Sequence, residues 1–133
     1  MNEHFWEMAQ TAARVAGPPI KPEWIYSQWY HETGGFTSLD SEYHNYGGLC
    51  QKRPNSTPQP DGDEYYIQFT DDDAYSNYFG HYIDLYVDNG ILNSQTVDDY
   101  ITALHDGGYF TDSLEAYLAD VKGIMADNFP GVA

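Results

Sequence analysis

The chain has 133 residues, enough for one domain with its own core, and it carries 21 acidic against five basic residues for a formal charge of -16. Five lysines and arginines are too few to meet a run of phosphates, so nucleic acid and anionic membrane surfaces are excluded as partners. One cysteine, Cys50, rules out an intrachain disulfide framework.

The first residues, Met1-Asn2-Glu3-His4-Phe5-Trp6-Glu7, are acidic and aromatic. They lack the basic start and apolar run of a signal peptide, and no segment has the length and apolarity of a membrane span. Residues from about Glu3 to Ala16 are predicted as a helix closed by Gly17-Pro18-Pro19. A second helix begins at Pro22, a residue suited to a first turn, and runs to Glu32.

Ile25, Gln28, Trp29 and Glu32 fall on one face at helical spacing. An inward carboxylate is costly unless paired or protonated. Gly34-Gly35 ends the helix, so Glu32 lies in its last turn, where the negative end of the helix dipole also disfavours ionisation. Both effects raise the carboxyl pKa, which suits a general acid at neutral pH.

Residues 33 to 48 read as a loop or short helical turn, and residues 51 to 62, with three prolines and no apolar side chain, as an exposed loop. Asp63 to Phe69 alternates and is predicted as a strand, giving a hairpin inserted between helices. Thr70 with Asp73 forms a capping box before the stripe Tyr75, Tyr78, Phe79, Tyr82, Ile83 and Tyr86. Ser94 is predicted to cap the next helix, stopped by Gly107-Gly108. Asp112 with Glu115 forms a second capping box before Leu114, Tyr117, Leu118, Val121, Ile124 and Met125. The sum is a mainly α (α+β) single domain over 1–133, with a hairpin lobe at about 49–69.

Other groups carry less. Cys50 with His44 as base is a conceivable nucleophile, but no cysteine-enzyme signature surrounds it, and a small semi-buried thiol is the better reading. Asp71-Asp72-Asp73 lacks the alternation and mid-loop glycine of a calcium loop and reads as helix-start charge. His31 and His44 have no zinc-type spacing. No metal or cofactor is expected. The thirteen tyrosines divide between core stripes and rings that stack on sugars.

Three short runs, in order, carry a resemblance: Gln28-Trp29-Tyr30-His31-Glu32-Thr33-Gly34, His44-Asn45-Tyr46-Gly47-Gly48, and Gly108-Tyr109-Phe110-Thr111-Asp112. Over about residues 22 to 125 the chain resembles the glucosaminidase domains of bacterial and phage peptidoglycan hydrolases, glycoside hydrolase family 73 of the lysozyme-like superfamily. That family's pattern is Gln-x-x-x-Glu-Ser-Gly, then Asn-Asn-Tyr/Phe-Gly-Gly/Ile, then Gly-Tyr-Ala-Thr-Asp. Here Thr33 replaces the serine, His44 the first asparagine and Phe110 the small residue before Thr-Asp.

The resemblance implies a lysozyme-like helical domain with Glu32 as the catalytic acid. It implies a second carboxylate in the hairpin segment, at Glu64 with Asp61 and Asp63 competing, and Tyr109 facing Glu32. Gln28, Asn45, Tyr46, Gly48, Phe110 and Asp112 then become candidate substrate contacts. Asn45 has the alternative of a left-handed turn residue. The implied activity is an endo-β-N-acetylglucosaminidase acting as a monomer on glycan strands of the cell wall, outside the cell or with a phage. Rival readings are a muramidase, a lytic transglycosylase, and a non-catalytic wall-binding module of a phage tail or secretion apparatus.

Overall fold

The computed structural model describes residues 1–37, 44–49, 56–58 and 65–132. The fold is mainly helical. α1 spans Glu3–Ala16 and α2 Pro22–Glu32, with the bounds expected from sequence. α3 spans Asp72–Tyr82, α4 Val97–Asp106 and α5 Leu114–Asn128. Two 3-10 segments, Ile83–Asn89 and Ile91–Asn93, join α3 to α4.

α1 starts where the Asn2 side chain accepts a hydrogen bond from the Phe5 N–H at 3.2 Å. It buries Phe5, Met8, Ala9, Ala12 and Ala13, the spacing of one helical face. α2 behaves differently. Six consecutive residues, Trp24 to Trp29, are buried, so this helix is enclosed on all sides rather than along one stripe. It is the centre of the core, packed against α1 and α5, and α3 packs on α1. Trp29 meets Tyr75 and Phe79 with ring centroids 5.1 and 5.2 Å apart. Burying one such side chain is worth about 1.5–3 kcal/mol, and this aromatic cluster dominates the core.

The expected caps all shift by one or two residues. Asp71, not Thr70, caps α3, accepting from the Ala74 N–H at 2.7 Å. Thr96, not Ser94, caps α4, while the Ser94 hydroxyl donates to the Ile91 carbonyl. Ser113, not Asp112, caps α5. Each time two oxygen-bearing side chains stand close in sequence, and backbone geometry decides which reaches the free N–H groups.

Of the expected hairpin lobe, the described residues hold one short antiparallel pair. Ser56–Pro58 (β1) runs against Tyr65–Ile67 (β2), with Ser56 opposite Ile67. β2 also ties to the preceding loop, where the Ile67 N–H donates to the Leu49 carbonyl at 3.1 Å.

Candidate active site

Glu32 is the last residue of α2, and the chain turns sharply after it. The Thr33 hydroxyl donates to the Trp29 carbonyl at 2.8 Å and accepts from the Phe36 N–H at 2.8 Å. Gly34 and Gly35 follow with φ of 59° and 79°, a left-handed stretch that side-chain-bearing residues resist. The Gly35 N–H closes back on the Tyr30 carbonyl at 2.8 Å. Thr33 therefore fastens the helix end from a buried position.

The inward stripe expected to include Glu32 stops short of it. Gln28 and Trp29 are fully buried, whereas Glu32 is exposed. Its carboxyl is nonetheless crowded. Oε1 accepts a hydrogen bond from the Tyr117 hydroxyl at 2.8 Å. Oε2 lies towards Gly48, where an added methyl group would stand 3.8 Å from it. Crowding by protein raises the carboxyl pKa above its ordinary range, and the negative charge of Asp112 adds to the rise. The Tyr117 hydrogen bond and the neighbouring His31 pull in the opposite direction. The result is an exposed carboxyl whose pKa lies above its ordinary range.

The second wall is the segment 44–49. Tyr109 donates from its hydroxyl to the Gly47 carbonyl at 2.6 Å. A methyl group at Gly47 would stand 2.6 Å from the Tyr75 oxygen and 2.8 Å from the Tyr109 oxygen, so only glycine fits. Burial pushes the Tyr109 phenol far above its ordinary pKa, which keeps it a neutral donor. Asn45 pins the same segment from within. Its amide donates to the carbonyls of Leu49 and Ile67 at 2.9 and 3.1 Å and accepts from the Leu49 N–H at 3.0 Å.

A carboxylate holds the outer edge. Asp72 bonds to His4 Nε2, His44 Nδ1 and the Tyr46 hydroxyl, each at 2.7 Å. Burial alone would raise its pKa, but these hydrogen bonds together lower it.

Several expected contacts change role. Gln28, Asn45 and Tyr46 are buried and occupied inside the protein, so none of them is placed to touch a glycan. Asn45 is not the left-handed residue either; His44 is, with φ of 52°. Tyr109 reaches the site but spends its proton on Gly47 rather than facing Glu32 with a free hydroxyl. Gly48 lies beside Glu32, and Asp112 is near enough to act on its charge. Phe110 stacks on Tyr117 with centroids 3.8 Å apart and planes at 8°. Glu64, Asp61, Asp63 and Cys50 lie outside the described residues.

Two participants escaped the sequence reading. Tyr117 stands on the stripe of α5 expected to face the core, and its partner Glu32 is 85 residues away, so no local spacing links them. The hint was chemical: a tyrosine on an inward face brings a hydroxyl that needs a partner. Asp72 was absorbed into an acidic helix start, although helix-start acids do not exclude a long-range role.

Among the described residues no group of three or more histidine, cysteine or acidic side chains could hold a metal ion. A mainly apolar pocket of about 370 Å³ opens between Val97, Met125 and Pro130, and a polar one of about 420 Å³ between Asn89, Asn93 and Asp98. Neither is lined by Glu32. Among the described residues no helix is long and apolar enough to cross a membrane. Comparisons with family models, with curated proteins and with solved structures find no match.

Proposed function

We propose that the protein is a peptidoglycan hydrolase, an endo-β-N-acetylglucosaminidase with Glu32 as general acid. The observation that carries this reading is the state of Glu32. It ends a central helix, its carboxyl is raised in pKa by crowding, one oxygen is fixed by Tyr117, and the other lies towards Gly48. The motif resemblance supplies the substrate class.

In the proposed reaction the glycosidic C–O bond breaks with its electron pair on the leaving oxygen, which takes the Glu32 proton. The sugar passes through an oxocarbenium-like state. Glu64 remains the carboxylate nominated for the opposite face, with the N-acetyl oxygen of the substrate as the other candidate nucleophile. The role proposed for Tyr109 moves from the substrate to the site wall, because its hydroxyl is already donated to Gly47.

The test is digestion of purified peptidoglycan followed by mass spectrometry of the products, with Glu32→Gln as the control. Fragments with N-acetylglucosamine at the reducing end support the reading. Reducing muramic acid ends indicate a muramidase, and anhydro-muramic ends a transglycosylase. Binding without any released fragment, equal in both proteins, overturns the enzymatic reading.

A further inference from the structure

We propose that Tyr100, Gln28 and Tyr117 complete a one-directional hydrogen-bond relay as Glu32 gives up its proton, and so stabilise its carboxylate. The proposal deepens the reading of Glu32 as the acid and rests on it. Tyr100 on α4 donates to Gln28 Oε1 on α2 at 2.7 Å, and both side chains are fully buried. Tyr117 on α5 donates to Glu32 Oε1 at 2.8 Å. The link between the two pairs is open: the Gln28 amide nitrogen is buried and has no hydrogen-bond partner among the described residues. It is close enough to the Tyr117 oxygen to favour negative charge there.

The orientation follows from proton counting. A tyrosine has one hydroxyl proton, and Tyr117 spends its own on Glu32. Its oxygen can therefore only accept from Gln28, whose carbonyl already takes the Tyr100 proton and whose free N–H is the donor left to close the gap. Every donor in the chain then points towards Glu32. Such a chain does little for a neutral carboxylic acid. It does much more for a carboxylate, because hydrogen bonds to an ion are roughly twice as strong and successive bonds polarise one another. Its stabilisation therefore grows as the proton moves to the leaving oxygen, which is when it lowers the barrier.

The Tyr117 ring is held for this task. Phe110 stacks flat on it, and the His31 ring meets it edge-on with centroids 4.4 Å apart. Phe110 departs from the small residue of the family pattern, and its ring covers Tyr117 directly. Gln28, fourth before Glu32 in the same helix, also gains a reason for its place: the two side chains lie one turn apart. Tyr100, Gln28 and Tyr117 are positioning residues, acting on the reaction only through Glu32.

The test is a carbon NMR titration of the Glu32 carboxyl in the wild type, Tyr117→Phe and Tyr100→Phe, alongside the pH profile of kcat on peptidoglycan. Tyr117→Phe is expected to move the Glu32 titration to higher pH and to lower kcat about 10–100-fold, the loss of one charge-assisted hydrogen bond. Tyr100→Phe is expected to act in the same direction and more weakly. A merely structural tyrosine would lower the melting temperature and leave the titration in place. Glu32 titrating at the wild-type pH in Tyr117→Phe overturns the proposal, and so does a shift in that variant with none in Tyr100→Phe. The titration needs no turnover. If Glu32→Gln retains activity, Glu32 is not the general acid, and the relay is still decided by the NMR result.

Discussion

Glu32 and Asp72 are two carboxylates whose burial acts alike and whose titrations move in opposite directions. Crowding by protein pushes both up. Glu32 ends α2, at the negative end of a helix dipole, and receives one hydroxyl donor. Asp72 opens α3, at the positive end, and receives two histidines and a tyrosine. Donor count and helix end, rather than burial, separate a carboxyl that can give a proton away from one that serves as a permanent anion.

Replacing Glu32 with Gln is the sharpest way to break the comparison. Activity on peptidoglycan is expected to fall ~10²–10⁴-fold or more, the usual contribution of a positioned acid. Stability is expected to move the other way. A carboxyl whose folded pKa is raised holds its proton longer in the folded than in the unfolded state. The wild type then loses stability as pH rises from about 4.3, the unfolded glutamate value, to the raised folded value. Melting curves from pH 4 to 8 should show Glu32→Gln gaining on the wild type across that interval. Parallel curves would remove the claim that folding raises the Glu32 pKa.

Asp72→Asn attacks the other member. The change leaves His4, His44 and Tyr46 without their anion and is expected to cost about 1–3 kcal/mol, or on the order of 5–10 °C in melting temperature. The sign with pH is opposite to that of Glu32. A lowered folded pKa gives stability that is fully present above about 3.9 and lost as pH falls through the folded value. The gap between wild type and variant should thus be constant at neutral pH and close in acid. A gap that persists unchanged in strong acid would mean that Asp72 acts through packing instead of charge.

Tyr109→Phe comes next. It deletes the donor to Gly47 and should cost about 0.5–1.5 kcal/mol in unfolding free energy together with a several-fold loss of kcat. A large loss of kcat with no change in denaturant midpoint would return Tyr109 to a direct chemical role. The smallest effect is expected from EDTA. Proton donation by a carboxyl needs no metal, so the rate should stay within about twofold of the untreated protein. Chelator inactivation reversed by zinc would bring His31 and His44 back as ligands.

Sequence spacing located α1 and α2 closely because their ends are punctuated by Gly17, Pro22 and Gly34-Gly35, whose backbone preferences are local. It placed Glu32 at a helix end for the same reason. It misjudged the face of α2, since a helix enclosed by α1 and α5 is buried on all sides and carries no single stripe. The cap positions slipped wherever two candidate oxygens stood together, as at Asp112 and Ser113. The partners of the site were hidden by distance along the chain: Tyr117 meets Glu32 across 85 residues and Tyr100 meets Gln28 across 72. Such pairings are decided by how α4 and α5 dock on α2, which no local pattern encodes.

The bond from Tyr109 to the Gly47 carbonyl joins chain segments 62 residues apart. It acts as a clasp between the turn after α4 and the segment that carries Gly48. Opening either strand of that clasp releases the other, so the two belong to one cooperative unfolding unit. Amide protons of Gly47, Gly48 and Leu49 should exchange with deuterium at the same opening free energy as those of Tyr109 and Phe110, although no helix connects them. Glu32 would then lose its facing wall only in openings that also undo the junction between α4 and α5.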